Sequence, residues 1–242
     1  AQSHVRVSFD IPEYTADITA IGALRILESL RILKLKKTKF YQASSSEMFG
    51  MVKNKKSLNE NSTFHPRSIY GVSKVFAFHT TVHYREAYGI FASNGILFNH
   101  ESPRRGTNFV TNKVVKEVVR IKYGLSDKLL LGNLDATRDW GHAKDYVRAM
   151  VMILEQDKPD DFVCATGISH SVRDLCDYTF SSLGLNYEDY VGVDEKYWRP
   201  EELVHLKGDS TRLKSIGFEA EYTFETMIDE MINYWVNIYE DK

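Results

Sequence analysis

Apolar side chains recur along this chain with two periods, and the two periods alternate. Ala20, Ala23, Leu24, Leu27 and Leu30 form one stripe that predicts a helix over about residues 15–33. Lys39-Phe40-Tyr41-Gln42-Ala43 then reads as a strand that ends on Ser44, Ser45 and Ser46. Beyond a polar loop containing Pro66, residues 68–88 return to the helical period, with Gly89 placed to close the helix. Residues 90–98 are apolar enough for a strand covered on both faces. The alternation continues with a helix over 112–122 stopped by Gly124, a strand over 128–131, a helix over 145–156 and a strand over 161–165. Val172, Leu175, Cys176, Thr179 and Leu183 mark the next helix, ended by Gly184. Phe224, Met227, Ile228, Met231, Ile232 and Trp235 mark the last, with Thr223 as its N-cap.

Strands alternating with helices imply βαβ units and a mainly parallel sheet, so the expected fold class is α/β. Ligands of such sheets sit at the carboxyl ends of the strands, which directs attention to the residues after Ala43 and Phe98. Apolar residues make up 43% of the 242 positions, enough for a sizeable core and against disorder as the main state. A net charge of -2 supplies no large positive field, which argues against a general nucleic-acid or membrane-surface binder. No apolar run approaches the roughly 18 residues of a membrane span, and no secretory leader pattern opens the chain. Cys164 and Cys176 fall in different elements at no metal-ligand spacing, and read as buried free thiols of a reducing, cytoplasmic compartment.

Candidate chemistry gathers at those strand ends. Tyr70 and Lys74 lie four apart on one helix and share a face. An ammonium beside a phenol favours the phenolate, so the Tyr70 pKa is expected to fall toward the range of a useful base. Ser44-Ser45-Ser46-Glu47 adds hydroxyls and a carboxylate at the preceding strand end, which together make an acid/base set. A helix cap would explain one of these serines and leave the others unexplained.

Three runs carry a resemblance: Tyr41-Gln42-Ala43-Ser44-Ser45-Ser46-Glu47-Met48-Phe49-Gly50, Pro66-Arg67-Ser68-Ile69-Tyr70-Gly71-Val72-Ser73-Lys74, and Asn94 through Gly106. With Arg138-Asp139-Trp140-Gly141-His142-Ala143-Lys144-Asp145-Tyr146 and Tyr197-Trp198-Arg199-Pro200-Glu201-Glu202, they resemble the extended short-chain dehydrogenases and, among these, the GDP-mannose 4,6-dehydratase family. The resemblance implies a Rossmann-like parallel sheet, N-terminally truncated, with a smaller C-terminal α/β substrate domain. Residues 1–105 would be the C-terminal part of the NADP-binding domain. Residues 106–242 would be mainly the GDP-sugar domain, with segments near 138–165 returning to the large one.

The same resemblance implies roles. Tyr70 would act at the sugar C4 hydroxyl, Lys74 would hold the nicotinamide ribose, and Glu47 would take the C5 proton. Ser45 would stand where the family usually has Thr, keeping the hydroxyl and losing a methyl. Ala1, Gln2, Ser3, Tyr14, His100 and Arg105 would touch NADP. Asn99, Lys113, Arg138, Arg199 and Glu202 would hold GDP-mannose. Arginine suits a diphosphate because its fork pairs with phosphate oxygens in bidentate fashion. The implied reaction is that of a lyase with an internal redox cycle, in which hydride leaves C4 for NADP, water leaves across C5 and C6, and hydride returns to C6. A homodimer or homotetramer is expected, joined through helices like the one that carries Tyr70.

The 14 glycines are all at least six residues apart, so the chain contains no Gly-rich pyrophosphate turn. The expectation is a dehydratase whose first βα units, on the order of 80–90 residues, precede the sequence given. The alternatives are a noncatalytic remnant or subunit lacking the cofactor half, or a related nucleotide-sugar epimerase or reductase. Glu47 discriminates among the enzymes, since neither an epimerase nor a reductase needs a C5 base there.

Overall fold

A computed structural model describes residues 2–50, 57–197 and 205–240. The first helical stretch is not uniform. α1 (Val7–Asp10) and α2 (Pro12–Ala16) lead through a π turn at Asp17–Ile21 into α3 (Gly22–Ile32). Pro12 opens α2 where its missing amide hydrogen costs nothing. The π turn carries Thr19 and Ala20 to the interior, and Leu27 of α3 is fully buried against Tyr84, Ile90 and Ala92.

β1 (Phe40–Ser45) turns at once into a 3-10 turn at Ser46–Met48, capped by the Ser45 hydroxyl, which accepts from the Glu47 amide at 3.3 Å. α4 (Ile69–Tyr88) starts at Ser68, whose hydroxyl accepts from the Gly71 amide at 3.0 Å. It ends at Gly89, whose φ of 65° would strain any residue with a Cβ. β2 (Ala92–Leu97) is buried along its whole length. β3 (Asn99–Glu101) and α5 (Val110–Lys122) follow, then β4 (Leu129–Leu131), β5 (Thr137–Arg138) and β6 (Trp140–His142). The remainder is α6 (Ala143–Glu155), β7 (Asp161–Cys164), β8 (His170–Ser171), α7 (Val172–Ser182), β9 (Val191–Val193), α8 (Thr211–Ser215) and α9 (Phe224–Glu240). Thr223 caps α9 as the sequence suggests, its hydroxyl accepting from the Thr226 amide at 3.2 Å.

β1, β2 and β7 form a parallel sheet in that order. Its register sets Ser45 beside Leu97 and Leu97 beside Cys164, so the three carboxyl ends are level. Immediately beyond, at Phe98, the chain changes partner. β3 pairs in parallel with β6, with Asn99 opposite Trp140 and Glu101 opposite His142. α3 and α4 cover one face of the sheet, and α6 with α8 cover the other. Fully buried Ile96, Ile153 and Leu206 each contribute roughly 1.5–3 kcal/mol by leaving water.

A second core lies among α5, α7, α9 and β4, where Val118, Leu175, Phe180 and Met231 meet Trp140. The 140–165 stretch returns to the sheet through Tyr146, Ala149 and Phe162. Leu206, Leu213 and Phe218 return there as well, a crossing that the hydrophobic periodicity does not announce. Asp139 ties these crossings together. Its buried carboxylate accepts from the Thr166 amide and hydroxyl at 2.9 and 2.7 Å, the Gly167 amide at 2.9 Å and the Gly208 amide at 3.2 Å.

Candidate active site

A cavity of about 570 Å³ opens at the carboxyl ends of β1 and β2. One wall is the strand-to-turn junction Ala43–Glu47 with Tyr70 and Lys74 of α4. Gly71 makes this wall possible. A Cβ there would stand 2.9 Å from the Glu47 carbonyl oxygen, so only glycine lets the first turn of α4 press against the turn that holds Glu47. The floor is Asn99, His100 and Glu101 of β3 with Arg105. Lys113 of α5 and Leu131, Asn133, Arg138 and Trp140 of the β4–β6 stretch complete the lining.

Burial dominates the electrostatics of the first wall. The nearby Ser45 hydroxyl favours the Tyr70 phenolate, yet burial and the nearby Glu47 charge push the phenol's pKa up to about 12. The expectation of a lowered phenol pKa is therefore corrected for the ligand-free site. The reason is geometric: the Lys74 ammonium donates to the Ala43 carbonyl oxygen at 2.7 Å and stands 5.6 Å from the centre of the Tyr70 ring. Lys74 itself is lowered to about 8 by burial. Ser44 is also accounted for, its hydroxyl donating to Asn94 Oδ1 at 3.1 Å within the sheet.

On the floor, His100 Nδ1 lies 2.9 Å from the Phe98 carbonyl oxygen and the ring stacks on Tyr146 at 5.1 Å. Burial lowers its pKa, with the positive charges of Arg105 and Lys74 acting in the same direction, so the imidazole is held neutral. Glu101 is almost wholly enclosed and burial raises its pKa. It accepts from the Thr111 hydroxyl and pairs with Arg105 Nε at 3.1 Å. The Arg105 guanidinium lies over the Phe109 ring at 3.6 Å.

Lys113 donates to the Leu130 carbonyl oxygen at 2.6 Å and sits 3.7 Å from the centre of the Tyr197 ring. Its pKa is lowered by burial. Arg138 is buried, with Nη1 donating to the Thr137 carbonyl oxygen at 2.8 Å.

The structure thus brings together Ser3, Ser45, Glu47, Tyr70, Lys74, Asn99, His100, Arg105, Lys113 and Arg138 around one cavity. It does not bring Tyr14 there. Tyr14 stands on the outer side of α2, 56% exposed and off the cavity lining. Gln2 is also off the lining and donates to the His4 carbonyl oxygen at 2.9 Å and to Thr15 Oγ1 at 3.3 Å. Ala1, Arg199 and Glu202 lie outside the described residues.

Sequence reasoning passed over Glu101, Asn133, Trp140 and Tyr197 as single residues of the lining. Three of them sit inside runs singled out above, where motif membership was the available signal. Asn133 carried none, because it reaches the cavity through the β4 turn.

Residues 1–231 match the sequence profile of the GDP-mannose 4,6 dehydratase family. GDP-mannose 4,6 dehydratase 2 of Arabidopsis thaliana is 53% identical over 237 residues, which cover 96% of this chain and 63% of that protein. GDP-mannose 4,6-dehydratase of Vibrio cholerae serotype O1 is 49% identical, covering 96% and 70%, and the Homo sapiens enzyme of that name is 46% identical, covering 96% and 68%. The chain therefore spans a little under two thirds of the plant relative. Among solved structures, RMD from Pseudomonas aeruginosa complexed with NADPH superposes with a TM-score of 0.90 at 23% identity, over 98% of this chain and 80% of that one. UDP-glucose 4-epimerase of Thermotoga maritima with UDP-glucose gives 0.88 at 22%, over 99% and 76%. At such identities these two likenesses speak for the shared Rossmann-type fold alone.

Proposed function

Because the chain belongs to the GDP-mannose 4,6 dehydratase family, we propose that the protein dehydrates GDP-D-mannose to GDP-4-keto-6-deoxy-D-mannose with NADP as a resident cofactor. One observation carries this reading. Ser45, Glu47, Tyr70 and Lys74 line one cavity together with the cations Lys113 and Arg138. An acid/base set sharing a cavity with a pair of cations suits a sugar joined to a diphosphate.

The cavity suits NADP on chemical grounds: Lys74 and Arg105 bring positive charge, and His100 presents a neutral ring beside them. Lys74, His100, Arg105 and Ser3 would hold the cofactor. When bound, NADP would supply both the acceptor for the C4 hydride and the donor that returns it to C6, and in its oxidised form a positive charge.

The remaining work falls to the chain. Tyr70 exchanges a proton with the C4 hydroxyl, with the Ser45 hydroxyl nearby. Burial keeps the phenol neutral in the ligand-free site, so proton acceptance awaits added positive charge nearby. Glu47 removes the C5 proton, which a C4 ketone acidifies. Ser45 and Glu47 then serve the departing C6 hydroxyl. Lys113 and Arg138 hold the diphosphate.

The reading extends to assembly and place. The face of α4 away from the sheet exposes Ile69, Val72 and Phe76 in one stripe, which favours pairing with a second copy in a homodimer or homotetramer. Both cysteines are unpaired and buried, in keeping with a reducing cytosol. No helix among the described residues is long and apolar enough to cross a membrane.

Glu47→Gln in the complete protein tests the reaction. The variant is expected to bind NADP+ as the parent does and to form no 4-keto-6-deoxy product from GDP-mannose, read by chromatography. Parental turnover by this variant refutes the assignment and returns an epimerase or reductase to the lead.

A further inference from the structure

We propose that Glu101 is a positioning residue that aims the Arg105 guanidinium at a phosphate of the bound dinucleotide. Three contacts support this. The Glu101 carboxylate is 1% exposed and its Oε2 accepts from the Thr111 hydroxyl, so the carboxylate is itself anchored from α5. That same oxygen forms an ion pair with Arg105 at 3.1 Å from Nε, close to but not aligned as a hydrogen bond. Phe109 covers one face of the guanidinium, with its ring centre 3.6 Å from the central carbon. A guanidinium held by Nε and by one face keeps both terminal nitrogens for another partner. Among the described residues no carboxylate other than Glu101 pairs with Arg105, and Arg105 lines the cavity. An arginine so held offers a preformed bidentate fork for phosphate and loses little side-chain entropy when the anion arrives.

Arg105 lines the floor of the cavity together with His100, which the proposed function gives to the cofactor. The dinucleotide is therefore the ligand of this fork and the sugar nucleotide is not, an assignment that rests on the proposed function. Burying a carboxylate carries a desolvation cost, which the Thr111 hydroxyl and the Arg105 charge offset here.

The test is a double-mutant cycle on the complete protein, with NADP+ and GDP-mannose dissociation constants measured by calorimetry. Glu101→Gln keeps the volume and a hydrogen-bonding oxygen for Thr111 but drops the charge. It is expected to weaken NADP+ binding by about tenfold, the worth of one charge-assisted contact. Arg105→Met should weaken it at least as much, and the double variant no further than Arg105→Met alone. GDP-mannose affinity should stay within about twofold in all three, because the cations proposed for it, Lys113 and Arg138, are not partners of Glu101. Thr111→Val should reproduce the Glu101→Gln loss, and Thr111→Ser, which restores the hydroxyl, should recover it.

Additive losses in the cycle, an unchanged NADP+ affinity in Glu101→Gln, or equal weakening of both ligands overturns the proposal. So does loss of the fold in both Glu101→Gln and Thr111→Val, which would make the carboxylate a structural element. A parent protein that binds neither NADP+ nor GDP-mannose defeats the functional reading itself, an outcome distinct from additivity in a protein that binds both.

Discussion

Lys74→Met should make the protein relatively more stable as the pH falls, at the expense of its chemistry. Burial lowers the Lys74 pKa from 10.5 to about 8, with the ammonium turned to a single carbonyl oxygen. The sign follows from proton binding. Between those two values the unfolded chain holds a proton at this site that the folded chain lacks, so stability rises with pH there and declines on acidification. Below about pH 8 both states are protonated and the penalty is constant. Two such pKa values make the folded state lose about 2.5 kcal/mol between about pH 10 and about pH 7 through this one group. Methionine has a similar length and no charge, so the variant omits that loss. Its missing hydrogen bond to Ala43 costs about 1 kcal/mol and shifts the comparison by a constant. The assay is urea unfolding of parent and variant at several pH values, read as the difference between the two stabilities. That difference should move by about 2.5 kcal/mol in favour of Lys74→Met at the acid end. A difference that stays flat, or runs the other way, refutes the burial argument.

Two other substitutions test the frame around the site. Asp139→Ala leaves the amides of Thr166, Gly167 and Gly208 without their shared acceptor and should cost on the order of 3 kcal/mol in urea unfolding, whereas a loss below about 1 kcal/mol would show that the clamp is dispensable. Phe76→Glu places a charge in the exposed stripe of α4 and should reduce the assembled protein to monomers in sedimentation without altering its circular dichroism, and assembly that persists at micromolar concentration counts against that face as the interface.

Sequence legibility followed element length and site locality. α4 and α9 were legible because their stripes run for four turns or more and both carry cap residues that the backbone uses: Ser68 with Gly89, and Thr223. β1, β2 and β7 were legible as apolar runs, although the buried strand proved shorter than 90–98 because Ile90 and Phe91 belong to the turn after Gly89. β3, β5, β6, β8 and β9 were not foreseen, since a two- or three-residue ladder has no period to read. The π turn was hidden for a related reason: one inserted residue shifts the stripe of a helix without erasing it.

At the site, the motif runs named most of the lining. They could not give orientation. Spacing put Tyr70 and Lys74 on one face, but the ammonium turns to the end of β1, a partner distant in sequence, and the sign of the Tyr70 shift depends on that choice. Glu101 stayed unread for the same reason, because its meaning comes from Thr111 and Arg105, which only the folded loop brings to it.

The change of partner at Phe98 has a consequence for how such a protein diversifies. Up to Leu97 the chain is bound into one ladder with β1 and β7, and from Asn99 into another with β6. A single residue forms the seam. Ser45 and Glu47 follow the first ladder, with Tyr70 and Lys74 on the helix packed against it, whereas Lys113 and Arg138 come from α5 and β5. Substitutions on β4, β5 or α7 can therefore reshape the chamber while Ser45, Glu47, Tyr70 and Lys74 keep their spacing.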